Sequence, residues 1–284
     1  MKQSYVGYRI LLVHAHPDDE TINNGATMAL YAARGAKVTL VTCTRGEEGE
    51  VLVPALSNLA SSQDDLLGPH REIELENAMR ALGVVDHRFL GKFRDSGMMG
   101  TEPNNRPDVF WQADLDTVAK LLVEIIEEVQ PHILITYDEI GGYGHPDHIK
   151  AHLVAMRASE LSTWQIQKIY WNTIPKSVIA AGMEAMKEAG TDFFGTDDIN
   201  EIPFAKDESF VTTLIDANDF VAAKMEAMKA HATQIALDGP FFALSDNMGL
   251  QVWGHEYYTL VRGEKTAPFD SNGRESDLTS GVAI

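Results

Sequence analysis

RILLVHAHPDDETINNG, residues 9–25, decides the fold and points to the chemistry. The apolar run Ile10, Leu11, Leu12 and Val13 leads straight into His14, His16, Asp18, Asp19 and Glu20. So short a run reads as a strand buried on both faces, as in a parallel sheet covered by helices. The polar burst then lies at the strand's carboxyl end, where open α/β sheets place their ligand sites. Pro17 turns His16 away from helix, so His16, Asp18 and Asp19 gather on one loop. One imidazole and two carboxylates placed together suit a metal ion and a general base.

A second segment repeats the design. In HILITYDEIGGYGHPDH, residues 132–148, an apolar strand is followed by Tyr137, Asp138, a glycine-rich turn, and then His145, Asp147 and His148. Either segment alone is as readily a turn whose histidines cap helices. Two of them at matching strand ends point instead to one shared His/His/Asp zinc site with an open position for water.

Between and beyond these segments the pattern alternates. Residues 21–34 read as a helix stopped by Gly35, and residues 37–44 as a second buried strand. Strand, helix and strand make a right-handed βαβ unit, the seed of a Rossmann-like, mostly parallel sheet with helices on both faces. No G-x-G-x-x-G follows the first strand, so dinucleotide binding finds no support. Residues 71–82 are helical in period; Arg71 falls near the start, where spacing alone favours a surface position over the pocket. Residues 87–90 read as a short strand, and the Gly- and Pro-rich loop after it, which holds Asp95, is long enough for a substrate-binding role. Residues 115–129 form a strongly amphipathic helix, and residues 148–159 another, with His148 in its first turn. His152, one turn on, reads as a packing or surface residue. Later strands are expected at 168–174, 211–215 and 255–261, with helices at 177–189 and 219–231 capped by Ser177 and Asp219. The acidic stretch 192–209 reads as a flap. The expected organisation is a Rossmann-like catalytic domain over 1–165, a smaller C-terminal α/β part over 166–263 that completes sheet and pocket, and a disordered polar tail over 264–284.

Composition narrows the partners. The 284 residues are 44% hydrophobic and 23% charged, and Asp+Glu 42 against Lys+Arg 23 leaves a formal charge of −19. Such a surface repels phosphate backbones and anionic lipid, so neither nucleic acid nor a membrane is an expected partner. A neutral or cationic small molecule is. The single cysteine, Cys43, reads as a small buried hydrophobe; with no intrachain disulfide and no secretory signal, the expected location is cytoplasmic.

From spacing, His16 and His148 are the nitrogen donors, and one of Asp18 or Asp19 is the oxygen donor, leaving the other to take a proton from water. His145 is expected to face the developing oxyanion as an imidazolium and to protonate the leaving nitrogen, with Asp147 orienting its ring and raising its pKa. Tyr143 is placed to donate its hydroxyl to the same oxyanion. Together these support metal-assisted hydrolysis of an amide or ester. A non-catalytic metal- or sugar-binding module is the competing class, and the spare carboxylate speaks against it. Fe2+ accepts the same ligands as Zn2+.

AHPDDE (15–20) followed by the distant HPDH (145–148) resembles the LmbE-like family of zinc N-deacetylases, which includes the N-acetylglucosaminyl-phosphatidylinositol deacetylases. The likeness covers most of the chain. VTCTRGEEGEV (41–51), RDSGMMGT (94–101), YDEIGGYGHPDH (137–148) and AHATQ (230–234) are most similar to the branch of that family in mycothiol biosynthesis. The resemblance implies a Rossmann-like fold and a zinc-dependent deacetylase acting on an amino-sugar inositol, the N-acetylglucosaminyl group of 1-O-(2-acetamido-2-deoxy-α-D-glucopyranosyl)-myo-inositol. It implies His16, Asp19 and His148 as zinc ligands and Asp18 as general base. It implies His145, held by Asp147, as stabiliser or acid, Tyr143 on the acetyl carbonyl, and Arg71 and Asp95 on sugar hydroxyls. An amidase of mycothiol S-conjugates is the alternative within the family.

Overall fold

Strand β1 (Arg9–His14) is buried along nearly its whole length, and its alternate side chains separate the core into two layers. Ile10 and Leu12 point to one face, where they pack with helices α1 (Asp19–Ala33) and α2 (Leu67–Leu82). Leu11 and Val13 point to the other, with α3 (Leu115–Val129) and α5 (Pro146–Leu161). Two-faced burial is what the unbroken apolar run demands. The computed structural model describes residues 3–188, 196, 198–236 and 254–284.

β2 (Lys37–Thr42), β3 (Asp86–Phe89), β4 (Ile133–Thr136) and β5 (Lys168–Asn172) join β1 in parallel. β8 (Thr213–Asp216) and β9 (His255–Arg262) extend the sheet antiparallel, giving the order β3-β2-β1-β4-β5-β9-β8. A small parallel pair, β6 (Ile174–Pro175) and β7 (Ala205–Lys206), lies beside α6 (Lys176–Glu188) around Ile179 and Ile202. Helix α7 (Val221–Ala230) packs on the α1/α2 face. The chain winds from β1 to β2 on one side and reaches β4 on the other. The β1/β4 boundary is therefore the topological switch point, where an open sheet leaves a crevice at its carboxyl edge.

Local signals account for most boundaries. Asp114 caps α3 by accepting the Thr117 amide at 2.9 Å, and Gly83 at φ 71° closes α2. Helix α2 begins earlier than its period suggests, because Leu67 already packs inside, and this places Arg71 one turn in and buried instead of at the surface. Neither Ser177 nor Asp219 is an N-cap: α6 starts at Lys176, and α7 follows a 3-10 turn at Asn218–Phe220. Part of the expected acidic flap (192–195 and 197) lies outside the described residues, as does the end of the helix expected to reach residue 189.

The tail is the main correction. Residues 264–284, expected to be disordered, lie against the sheet, with Leu278 and Val282 in the core and the Glu275 carboxylate fully buried. Glu275 accepts Lys168 Nζ at 2.5 Å, the Thr266 amide at 2.7 Å, the Tyr170 hydroxyl at 2.9 Å and the Thr213 hydroxyl at 3.1 Å. Low hydropathy concealed a countercharge for a buried lysine. No helix among the described residues is long and apolar enough to cross a membrane.

Candidate metal centre

The loop after β1 and the turn after β4 meet at the carboxyl edge. The Tyr137 hydroxyl accepts the Ala15 amide at 2.9 Å, and its ring stacks on His148 with centroids 4.4 Å apart. The turn α4 (Gly141–Gly144) lies close against the start of α5. A Cβ on Gly141, at φ 63°, would sit 2.6 Å from the Ile149 amide nitrogen and 2.7 Å from His148 Cβ, so glycine is required. Asp138 holds this turn by accepting the Gly142 amide at 2.8 Å, and is itself paired with Lys206 at 2.7 Å.

Three donor atoms converge there. His16 Nδ1 and His148 Nε2 stand 3.3 Å apart, and Asp19 Oδ2 is 3.4 Å from each. Ligands held tetrahedrally at about 2.0–2.1 Å from a zinc ion are separated by about 3.3 Å, so the triangle has the dimensions of one tetrahedral face. The hydrogen bonds around it fix the tautomers. His148 Nδ1 donates to the Gly141 carbonyl at 3.2 Å, leaving a lone pair on Nε2. His16 Nε2 donates to Asp147 Oδ2 at 3.3 Å and lies 3.5 Å from Asp95 Oδ1, leaving a lone pair on Nδ1. Asp19 Oδ2 also accepts the His16 amide at 2.9 Å. Three acceptors turned toward one point call for a cation between them, and this buried group can hold a metal ion.

Electrostatics favour positive charge at this point, as a proton on His16 or as a cation among the three. Burial works against charge on both His16 and Asp19, yet Asp95, Asp147 and Asp19 raise His16 well above the usual imidazole range. His148 and His16 hold Asp19 well below the usual carboxylate range. Asp95 is likewise depressed, against burial, chiefly by His16. A second set of close groups, His16 with Asp95 and Asp147, and a third, His16 with His145 and His148, overlap the triangle. The first of these has its carboxylates already engaged: Asp95 accepts the amides of Gly97 and Glu48 at 2.8 and 3.2 Å, and Asp147 accepts the Ser96 amide and the His16 ring Nε2–H.

Asp18 stands beside Asp19 in a backbone conformation of φ 121°, ψ −33°. Burial pushes its carboxyl up to about 6, against the pull of Arg71. Arg71 Nη2 lies 3.3 Å from Asp18 Oδ1 and donates to the Pro17 carbonyl, while Nη1 donates to the Gly46 carbonyl at 2.9 Å. Gly46, at φ 66°, leaves the room this needs, since a Cβ there would fall 2.1 Å from Nη1. Among the described residues Arg71 Nε is buried without a partner. The structure thus sets Arg71 against the Asp18 loop, and Asp95 among the histidines, with one unpartnered N–H on the arginine.

Two expectations change. Asp147 does not hold His145 through its carboxylate, which instead accepts from His16 and from the Ser96 amide (2.9 Å) and hydroxyl. At the second position of α5 it lies beside the β1 loop, so His16 is the ring within reach. Nor is His145 an imidazolium: its Nδ1 accepts the Asp147 amide at 3.1 Å as the N-cap of α5, which leaves the single proton on Nε2. Burial, then His16 and His148, push its pKa down to about 3. The carboxylate nearest to it is Asp95, 4.0 Å from Nε2. Tyr143 is exposed on α4, its ring edge-on to His148 at 4.9 Å. The sequence places Tyr137 in the second cluster without assigning it a role, and gives no role to Ser96. Tyr137 was detectable from its place at the end of a strand; Ser96, in an irregular loop, was not.

The family model described as PIG-L: GlcNAc-PI de-N-acetylase matches residues 11–159. The chain is 56% identical over 280 residues to the 1D-myo-inositol 2-acetamido-2-deoxy-alpha-D-glucopyranoside deacetylase of Acidothermus cellulolyticus, covering 97% of this chain and 95% of the relative. Among solved structures it is similar to the N,N'-diacetylchitobiose deacetylase of Pyrococcus horikoshii, with a TM-score of 0.56, 20% identity, and coverage of 90% of this chain and 84% of the other. It is as similar to the 4-carboxy-2-hydroxymuconate hydratase of Pseudomonas putida, with a TM-score of 0.59, 18% identity, and coverage of 93% and 100%. Two such different reactions on one scaffold mean that these structures speak for the fold alone. The chain belongs to the PIG-L family of de-N-acetylases.

Proposed function

We propose that this PIG-L family member is a zinc-dependent amide hydrolase of the cytoplasm. It removes acetate from 1-O-(2-acetamido-2-deoxy-α-D-glucopyranosyl)-myo-inositol, a step of mycothiol biosynthesis. The substrate follows from the names of relatives that match over nearly the full chain. The reaction class rests on one observation: three lone pairs of His16, Asp19 and His148 meet at tetrahedral spacing beside a carboxylate they do not use.

His16 Nδ1, Asp19 Oδ2 and His148 Nε2 would hold the ion. Bound there, zinc supplies Lewis acidity toward water and toward the acetyl carbonyl. Asp18 takes a proton from the attacking water, and a carboxyl that titrates near 6 is well matched to that task. The same proton is returned to the departing amine, so that water and amide become acetate and amine. His145 donates from Nε2–H to the oxygen that gains charge, as a neutral ring held by the Asp147 amide. The Tyr143 hydroxyl reaches the same oxygen from the exposed turn. Asp147 and Asp95 keep the His16 lone pair turned inward. Arg71 steadies Asp18 as an anion, and its guanidinium is the group assigned to a sugar hydroxyl.

The test is acetate release from the acetylated glucosaminyl-inositol, run beside amide cleavage of a mycothiol S-conjugate. Chelation abolishes the first reaction and zinc restores it. Turnover that survives complete metal removal contradicts the reading, and preference for the conjugate reassigns the substrate.

A further inference from the structure

The backbone of Asp18 is one that residues with a side chain avoid, at φ 121°. Such a conformation persists only where its surroundings over-determine it. One side of the clamp is Arg71, which holds the Pro17 carbonyl and Asp18 Oδ1. The other side comes from a different part of the chain. Glu20 Oε2 accepts the Asp18 amide at 3.0 Å, and Glu20 Oε1 accepts from His231 Nε2 at 2.9 Å and from the Thr21 hydroxyl at 2.5 Å.

We infer that His231 is a positioning residue: through Glu20 it fixes the amide of Asp18, and so the direction in which the Asp18 carboxylate points. This rests on Asp18 being the general base. His231 and Glu20 are fully buried, and neither is one of the three cation donors. Among the described residues only Nε2 of the His231 ring has a partner, and it donates to Glu20. The turn that carries it is firmly seated. Thr233 donates from its amide and hydroxyl to Glu74 at 2.8 and 2.7 Å, and its carbonyl accepts the Leu52 amide at 2.9 Å. Glu74 lies on α2, the helix that also carries Arg71. Both halves of the clamp on Asp18 therefore share one foundation. A pair that merely neutralised a buried charge would need no second oxygen on the Asp18 amide.

The experiment is the crystal structure, zinc content and steady-state kinetics of full-length His231→Ala, His231→Gln and Glu20→Asp proteins. His231→Gln keeps a donor for Glu20; Glu20→Asp keeps the charge but is one methylene too short to reach both His231 Nε2 and the Asp18 amide. In His231→Ala and Glu20→Asp, Asp18 leaves its positive φ and kcat falls about 10–100-fold, the scale of a 1 Å misplacement. KM stays within about twofold, each chain still holds one zinc, and the absorption spectrum of the cobalt-substituted protein is unchanged. His231→Gln recovers most of kcat. Should His231→Ala fail to fold, Glu20→Asp carries the same test. Asp18 unmoved at φ 121°, or wild-type kcat in Glu20→Asp, overturns the inference. So does a loss carried by KM or by zinc content. Wild-type turnover on the acetylated glucosaminyl-inositol is judged separately, so a wrong substrate leaves the structural readout of the clamp intact.

Discussion

Two buried polar clusters lie in one sheet and behave oppositely. Around Glu275, one carboxylate meets four donors, the ammonium of Lys168 among them, and both of its oxygens are engaged. At the β1/β4 edge, His16 Nδ1, Asp19 Oδ2 and His148 Nε2 face one another at 3.3–3.4 Å around a single point. Burial and charge are common to both. What marks the second as a working site is unmet demand: metal-binding atoms turned on one another, a carboxylate at a strained φ, and an arginine with a spare N–H among the described residues. A closed network is scaffold, and an open one waits for a ligand.

The sharpest way to break this comparison is Asp18→Ala. The account expects kcat to fall about 10²–10⁴-fold, the usual contribution of a general base, with zinc still bound at one per chain. Loss of the metal in that variant, with retention in Asp19→Ala, would exchange the roles of the two carboxylates.

Next in size is Gly141→Ala, which pushes on His148 and on the carbonyl that fixes its tautomer. Disturbing such a partner typically weakens metal binding about 10–100-fold; a chelator competition assay measures it, and unchanged affinity would show that the turn is dispensable.

The closed cluster gives the converse. Glu275→Ala strands the buried Lys168 ammonium, and breaking a buried pair costs about 3–5 kcal/mol. Urea unfolding should show that loss while kcat and zinc content of the folded protein stay at wild-type levels. A fall in kcat would mean that the two clusters are coupled.

The smallest effect is in pH. Burial favours a neutral His231, but Glu20 on α1, then Asp18 on its loop, raise its pKa above about 6.5, with Arg71 on α2 opposing. A raised folded-state pKa contributes stability fully present below the unfolded value and lost as pH rises through the folded one. Wild type should therefore lose its stability advantage over His231→Gln as pH rises from about 6.5 through the raised value. An advantage independent of pH would contradict the charge on His231.

The apolar runs of β1 and β4, with the histidines at their ends, made the sheet and its edge legible from sequence, because strand burial and position within a parallel sheet are local properties. The resemblance to the LmbE-like deacetylases is matched by family membership. What sequence did not convey depends on which distant group a side chain finds. Asp147 sits two residues from His145, yet bonds His16 across the sheet. Arg71 looked like a surface residue until the Pro17 and Gly46 carbonyls enclosed it. The tail looked solvated because Glu275 and Leu278 are sparse among polar neighbours, and only Lys168 and Tyr170 reveal what they are for.

Anomalous diffraction from zinc-loaded crystals tests the central claim most directly. The account predicts one ion bound by His16 Nδ1, Asp19 and His148 Nε2 at about 2.0–2.2 Å, with the remaining vertex open to solvent. An ion seated on Asp95 and Asp147, or a fourth side chain such as His145 closing the tetrahedron, would contradict it.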